Sequence, residues 1–256
     1  MFWHSNKKIR DKRQRCNLGL TPLSFKQIEE YMKKLLVAIL VGVSAIAWAQ
    51  QSENRNVGSF KGIKVAEGID VYLKKGDKES LKVEVTGIKT SDVITEVSGD
   101  YLKIHMQEGR YKDRTVKVYV TYVEIGKLSA SSASNIFADG PIKTKALSLS
   151  ASSAGTIDIE IDVEELEAGA SSAGDLHLSG KARSIELDAS SAGQIDAYEL
   201  ISDVVDVETS SAGSAKVNAI KEIEAHASSG GSIRYKGNPE RSNTNSSSGG
   251  SVKKSN

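Results

Sequence analysis

Cysteine, proline and aromatic residues are scarce in this chain. Its 256 residues include 1 Cys and 3 Pro, and aromatic residues make up 5% of the sequence. The single cysteine, Cys16, excludes a disulfide framework within the chain, and it excludes zinc sites built from several cysteines. We therefore expect the fold to be held together by backbone hydrogen bonds and core packing.

Long apolar runs are scarce as well, and the longest is too short to span a membrane. Leu35–Ala49 contains 15 residues, whereas a membrane-spanning helix needs about 20. Two lysines precede this run and an Ala-Trp-Ala site ends it, a pattern typical of a secretory signal peptide. We expect an upstream extension at 1–31, a signal peptide at 32–49 cleaved between Ala49 and Gln50, and no transmembrane segment in the mature chain.

A large excess of one charge sign is also absent. The whole chain has a net charge of +1. Residues 1–49 contain 9 basic and 3 acidic residues, so 34 minus 9 leaves 25 basic residues and 33 minus 3 leaves 30 acidic ones, a net charge of −5. A mildly acidic exported chain has no electrostatic attraction for nucleic acid, which we therefore exclude as a partner.

What the chain does have is a five-residue box rich in Ser, Ala and Gly that recurs seven times. The steps between box starts are 21, 19, 19, 20, 18 and 19 residues. A constant period near 20 residues is typical of a solenoid built from one repeated unit. The boxes are Ala130–Ser134, Ala151–Gly155, Ala170–Gly174, Ala189–Gly193, Thr209–Gly213, Ala227–Gly231 and Ser246–Gly250.

The residues around each box alternate between apolar and polar. With the first residue of a box numbered zero, positions −4, −2, +6 and +8 are mostly apolar, as Leu147, Leu149, Ile157 and Ile159 show. Period two is a strand pattern, and no helical stripe accompanies it. The sequence therefore predicts an all-β fold, a single-stranded right-handed parallel β-helix with coils of about 18–21 residues stacked at about 4.8 Å.

The chain before the first box lacks the box but keeps the alternation, as in Ile63, Val65, Leu102 and Ile104. We expect residues 50–127 to form a β-rich start or cap of the solenoid, and residues 128–256 to form the regular repeats.

The boxes themselves predict a structural role for serine. If the alternation runs through the box, position +2 points inward and its hydroxyls form a hydrogen-bonded internal ladder at the corner of each coil. The alternative is an exposed strip of serines, since a bend can change which side chains of an alternating strand point inward. The predicted ladder residues are Ser132, Ser153, Ser172, Ser191, Ser211, Ser229 and Ser248.

These features resemble the putative auto-transporter adhesin, head GIN domain family. The resemblance rests on Phe60–Val65, Gly68–Val71, Tyr101–Ile104, the serine boxes and Tyr235–Pro239, and it covers residues 57–252. It implies a right-handed parallel β-helix exported by Bacteroidetes-like bacteria.

The sequence contains no catalytic constellation that we can identify. Residues 169–173 lack the final glycine of a Gly-x-Ser-x-Gly elbow, and a box that recurs seven times is a structural device. His105, His177 and His226 lack metal-binding spacing, with His177 and His226 expected to face solvent. We therefore expect no catalytic, cofactor-binding or metal-binding residues and no cofactor.

Acidic residues also fail to form a convincing site. Asp158, Asp175 and Asp196 do not share one register, which argues against a calcium column. The cluster Asp162, Glu164, Glu165 and Glu167 is interpreted as a solvated coil connection. Aromatic side chains that could stack against sugar rings are also few.

The sequence thus favours an exported, non-catalytic envelope or surface protein that binds an unknown protein or carbohydrate as an adhesin-like module. It would lie in the periplasm, on the outer-membrane surface or outside the cell. Two alternatives stay open: a polysaccharide-active β-helix enzyme, which rests on fold analogy, and a periplasmic structural or sensing scaffold.

Overall fold

The computed structural model describes residues 50–255 together with residues 29, 30 and 32. The chain divides into two compact units, residues 1–47 and 48–256, and every strand named below belongs to the second. The predicted extension 1–31 and signal peptide 32–49, including Ala49, lie almost entirely outside the described residues. Among the described residues, no helix has the length and apolar character that crossing a membrane requires.

The regular secondary structure of residues 50–255 is β-strand, with no α-helix in that range and one short 3-10 turn at Thr90–Asp92. The first nine strands are short: β1 (Gln51–Arg55), β2 (Gly62–Val65), β3 (Asp70–Lys75), β4 (Ser80–Thr86), β5 (Val93–Ser98), β6 (Tyr101–Met106), β7 (Thr115–Tyr122), β8 (Lys127–Ala130) and β9 (Asn135–Ala138). The remaining strands include the long ones: β10 (Ile142–Ser152), β11 (Thr156–Ser171), β12 (Asp175–Ala189), β13 (Gln194–Thr209), β14 (Ser214–Ala227), β15 (Ser232–Lys236), β16 (Arg241–Ser246) and β17 (Ser251–Lys254).

The strands stack as parallel coils in the register that the boxes predict. Ala151 of β10 pairs with Ala170 of β11, which pairs with Ala189 of β12. The long strands bend, so that the first residues of β11 pair with β9 and its later residues pair with β10. The prediction of an all-β parallel solenoid is confirmed, and the solenoid has about seven turns.

The core is a set of apolar columns that run through the coils. One column is fully buried and consists of in-register residues at position +6, which contact one another from coil to coil. Each of its members is at most 2% exposed, so the predicted inward parity at this position is correct. The column is Ile136, Ile157, Leu176, Ile195, Ala215 and Ile233.

The coils of the first part of the solenoid are not stacked in chain order. Strand β2 lies between β6 and β8, and strand β3 lies between β7 and β9. Beyond that end, β5 pairs antiparallel with β6, β4 pairs antiparallel with β7, and β1 pairs antiparallel with β4. These antiparallel strands cover the edge of the coil that β6 and β7 form, which protects its backbone groups from further strand pairing.

The serines at position +2 of the boxes point outward, so the expectation of an internal hydroxyl ladder is wrong. In the second box, Ser153 and Ala154 have φ values of 50° and 60°, and the N–H of Gly155 donates to the carbonyl of Ser152 at 2.9 Å. Two successive positive φ values make a tight turn that directs both side chains to solvent and interrupts the alternation. The exposed serines are Ser132, Ser153, Ser172, Ser191, Ser211, Ser229 and Ser248.

These serines do form a ladder, but through the backbone. The N–H of Ala154 donates to the carbonyl of Ser172 in the next coil at 3.2 Å, and the N–H of Ala173 donates to the carbonyl of Ser191 at the same distance. The corner thus continues the hydrogen bonding of the strands, because each turn satisfies backbone groups of its neighbour.

Glycine at position +4 is required by close approach between coils. A Cβ atom on Gly193 would lie 2.2 Å from the carbonyl oxygen of Ala170, and one on Gly174 would lie 2.3 Å from that of Ala151. Both glycines have ordinary negative φ, so space is the constraint. The first box has Ser134 at this position, where its hydroxyl accepts a hydrogen bond from the N–H of Ile69 at 3.3 Å.

Candidate functional site

One outward row of side chains runs along the solenoid at position +7 and changes its chemistry along the axis. We call it the outer row. Successive members are Cα partners in neighbouring strands. It begins with three aromatic residues, continues with two carboxylates around a histidine and ends with three cations: Tyr119, Tyr72, Phe137, Asp158, His177, Asp196, Lys216, Arg234 and Lys253.

The aromatic part of the outer row is a continuous stack. The ring centroids of Tyr119 and Tyr72 are 5.3 Å apart with an interplanar angle of 20°, and those of Tyr72 and Phe137 are 5.4 Å apart with an angle of 24°. Tyr119 is 39% exposed, and the other two rings are half-buried. Strands β7, β3 and β9 supply one ring each, so a stack on this sheet face follows directly from the strand order.

A groove of about 420 Å³ lies beside this stack. The aromatic rings form one wall, and the second wall consists of Thr121, Lys74 and Asp139, each two residues after the ring of the same strand. The Lys74 Nζ lies 3.9 Å from the Asp139 carboxylate. The floor is the backbone of Val120, Leu73 and Ala138, whose side chains belong to the core or pack against it.

A carboxylate lies near the outer end of the aromatic stack. Glu84 Oε1 lies 2.6 Å from Lys82 Nζ, and Glu84 Oε2 accepts a hydrogen bond from Gln50 Nε2 at 3.0 Å. The hydrogen bond with Lys82, followed by those with Tyr119 and Gln50, holds the pKa of Glu84 below its usual value. Glu84 therefore stays ionised near neutral pH.

The middle of the outer row surrounds a second depression of about 330 Å³. Asp196 accepts hydrogen bonds from Lys216 Nζ at 2.8 Å and from the Tyr198 N–H at 3.3 Å. Burial raises the pKa of Asp196, but these hydrogen bonds outweigh it and the net shift is downward. His177 Nε2 lies 3.7 Å from the Asp175 carboxylate.

The three aspartates do not share one register, as the sequence predicts. Asp158 and Asp196 lie in one row with His177 between them, whereas Asp175 lies in the adjacent row. Within residues 50–255, no group of three or more His, Cys, Asp or Glu side chains is arranged to hold a metal ion. His177 is exposed as expected, but His226 is half-buried.

Tyr198, near the basic end of the outer row, is engaged by its own neighbours. Its ring faces Lys216 and Lys236, whose Nζ atoms lie 5.7 and 5.4 Å from its centroid, and its hydroxyl lies 2.7 Å from the Ser255 hydroxyl. No such cation–π contact covers the three stacked rings among the described residues. The stacked rings are thus the aromatic surface that the outer row leaves open.

A larger groove of about 610 Å³ lies on another side of the solenoid and has a charged lining. It contains Lys61, Lys127, Glu167 and Glu186, and the ring of Tyr101 in its wall is covered by Lys64 Nζ at 4.2 Å. The row that Glu167 and Glu186 begin in this groove continues along the next coils with Asp206 and Glu224.

The acidic cluster predicted at a coil connection lies within strand β11 instead. Glu164 and Glu165 are exposed and share Arg183 at 3.8 and 3.3 Å, and Asp162 lies 3.7 Å from both Lys143 and Lys181. These carboxylates form ion pairs between coils. Asp162 lies on the solvent side of the strand alternation, whereas Glu164 and Glu165 are consecutive exposed residues at which the alternation is interrupted.

The sequence-based interpretation missed the aromatic stack. Tyr72 and Phe137 are 65 positions apart, and Tyr119 lies between them in sequence but at the end of the stack in space. The sequence did indicate that each ring faces outward, since each occupies an outward position in an alternating run.

Comparison with known proteins identifies relatives of the whole solenoid. A family model described as "Putative auto-transporter adhesin, head GIN domain" matches residues 59–239. No protein with a curated description matches the chain significantly.

Several solved structures have a similar fold. A putative adhesin from Bacteroides fragilis NCTC 9343 is 20% identical with a TM-score of 0.74, covering 81% of this chain and 97% of that chain. A putative adhesin from Parabacteroides merdae ATCC 43184 is 16% identical with a TM-score of 0.68, covering 82% and 98%. A putative lipid binding protein from Parabacteroides distasonis ATCC 8503 is 18% identical with a TM-score of 0.64, also covering 82% and 98%. At these identities the likeness establishes the fold alone.

Proposed function

Since the chain belongs to the putative auto-transporter adhesin, head GIN domain family, we propose that it is an exported, non-enzymatic adhesin-like protein. It binds a protein or carbohydrate partner of the cell envelope or surface through the outward side of its solenoid. The observation that carries this proposal is the outer row, which combines an open aromatic stack with a groove. Solenoids use such extended faces for binding, because successive coils repeat the same exposed positions.

The regular corner supports a non-catalytic role for the repeated serines. Each serine at position +2 occupies the same positive-φ turn, with φ values between 48° and 52°, and each is exposed. A catalytic serine acts with convergent base and orienting groups at one place. Seven equivalent serines in seven turns instead fit a structural task, the closing of each coil.

Export is supported by the sequence pattern of residues 32–49, with its charged start, short apolar run and small-residue cleavage site before Gln50. The proposed location is outside the cytoplasm, with the solenoid exposed at the cell surface. In that position the outer row would be accessible to large ligands.

Two measurements test the proposal. An epitope tag after Asn256 and antibody labelling of intact and permeabilised cells report the location; we expect labelling of intact cells. Purified protein is then tested for adhesion to immobilised mucin and matrix proteins, and for release of reducing ends from a polysaccharide panel. Labelling confined to permeabilised cells would contradict surface adhesion, and turnover of a polysaccharide would contradict a non-enzymatic role. Binding to lipid vesicles in place of mucin or matrix protein would also overturn the proposed partner class.

A further inference from the structure

We infer that the groove beside Tyr119, Tyr72 and Phe137 binds a neutral oligosaccharide segment of two or three sugar units. This deepens the proposed function and rests on it, because it assigns the site and the ligand class of the adhesin-like face. The volume of the groove, about 420 Å³, falls in the range of about 300–1,000 Å³ that small-ligand sites occupy.

The dimensions of the groove match a short extended ligand. Three successive strands supply the rings, and neighbouring strands lie about 4.8 Å apart, so the outer two rungs are roughly 10 Å apart. The rings stack on one another with centroids 5.3 and 5.4 Å apart, so their edges together form one continuous apolar wall along this length. The apolar C–H surface of a sugar ring can pack against such a wall.

The opposite wall offers a different polar group at each rung. Thr121 stands across from Tyr119, Lys74 across from Tyr72, and Asp139 across from Phe137. A hydroxyl, an ammonium and a carboxylate together can donate to and accept from sugar hydroxyl groups. One apolar and one polar wall match the two kinds of surface that a sugar chain presents.

The charges in and around the groove favour a neutral ligand. Lys74 lies 3.9 Å from Asp139, and Lys82 at the outer end of the stack lies 2.6 Å from Glu84. Because each cation is near a carboxylate, the groove has no uncompensated positive charge to attract a polyanion.

Two other ligand classes fit less well. A peptide that binds by strand addition needs free backbone groups, but β7 lies between β4 and β3, β3 between β7 and β9, and β9 between β3 and β11. A lipid chain needs an enclosed apolar channel, whereas this groove has one polar wall, and Tyr119 in its other wall is 39% exposed.

The test is calorimetric titration of the purified protein with cellohexaose, chitohexaose, xylohexaose, laminarihexaose and mannohexaose. We expect at least one to bind, and Tyr119→Ala to weaken that binding about tenfold, which corresponds to about 1.4 kcal/mol. Tyr119 is chosen because it is the most exposed of the three rings. Tyr101→Ala is the matched control, since this ring belongs to the charged groove on another side, and we expect it to leave the affinity unchanged.

A melting curve of each variant separates folding from binding. A loss of affinity in Tyr119→Ala counts as support when its melting temperature stays within a few degrees of the parent; otherwise Thr121→Val, on the opposite wall, replaces it and should weaken binding as well. Absence of binding to all five sugars overturns the inference, and so does equal binding by the parent and both groove variants. Adhesion to mucin or matrix protein that Tyr119→Ala leaves intact would overturn the assigned groove while supporting the proposed function.

Discussion

Replacement of Gly193 by alanine tests the steric rule that spaces the coils. The added Cβ would lie 2.2 Å from the carbonyl oxygen of Ala170 and 2.8 Å from the backbone nitrogen of Ser171. An ordinary contact begins at 3.4 Å, so the coils must separate locally by about 1.2 Å. The same carbonyl of Ala170 accepts a hydrogen bond from the N–H of Ser190 at 2.9 Å, which this movement would stretch.

The expected cost follows from these two effects. Overpacking costs about 1–3 kcal/mol, and loss of the hydrogen bond costs about 0.5–1.5 kcal/mol. We expect Gly193→Ala to lower the free energy of unfolding by about 2–4 kcal/mol, and for a unit of this size to lower the melting temperature by roughly 4–16 °C.

The matched control is Gly169→Ala. A Cβ at Gly169 has no heavy atom within 4 Å outside its chain neighbours, and its φ is not positive. We expect this variant to keep or slightly raise the melting temperature, because alanine reduces the entropy of the unfolded chain. Thermal unfolding followed by far-ultraviolet circular dichroism compares the two. Equal melting temperatures for Gly193→Ala and Gly169→Ala would refute the claim that this contact sets the coil spacing.

Four further predictions concern the corners, the core and the outer row. Ala173→Gly should raise the free energy of unfolding by up to about 1 kcal/mol in denaturant titration, because its φ of 58° strains alanine but not glycine. Ser172→Asn should leave the melting temperature unchanged or higher, since this residue is exposed at φ 49° and asparagine tolerates that conformation; a marked loss would contradict an outward corner. Thr209→Val should raise the free energy of unfolding by about 1 kcal/mol, because the buried Thr209 hydroxyl has no hydrogen-bond partner among the described residues; a lower melting temperature would argue against this. Lys216→Met should lower the melting temperature near neutral pH, and this effect should shrink as the pH falls below 3.8. The lowered pKa of Asp196 stabilises the fold above that usual value, and the contribution is lost as Asp196 is protonated in the folded state. A pH-independent effect of Lys216→Met would assign its role to packing.

The regular half of the solenoid could be predicted because each coil repeats the same steric solution. Inward positions such as Ile157 and Leu176 are apolar in nearly every coil, so parity alone places them in the core. At the corner, alternation predicted the wrong direction for the side chains. Ser153 and Ala154 both adopt positive φ, and this conformation is unusual for residues other than glycine and asparagine. Nothing in the composition of the box indicates which two of its residues turn outward.

The first part of the solenoid could be predicted only as β-structure. Its strands β2 and β3 pair with partners both before and after them in space, although all those partners follow in sequence. Local alternation contains no information about such an insertion, because it reports only which face each side chain occupies. The aromatic stack depends on this order and was therefore not predicted.

The order of the coils also determines where binding chemistry can arise. Inward positions are constrained by the core, and corner positions are constrained by the close approach at Gly193 and its equivalents. Outward positions such as +7 carry neither constraint, so they can differ from coil to coil, as the change from Phe137 to Asp158 to His177 shows. A ligand of this solenoid is therefore recognised along the axis, by several coils together.

The insertion of β3 between β7 and β9 places Tyr72 between two other rings, and without that insertion Tyr119 and Phe137 would be adjacent and the wall one rung shorter. The unusual topology of the first coils is thus what lengthens the aromatic groove, which links the stacking order of these coils to the site proposed for sugar binding.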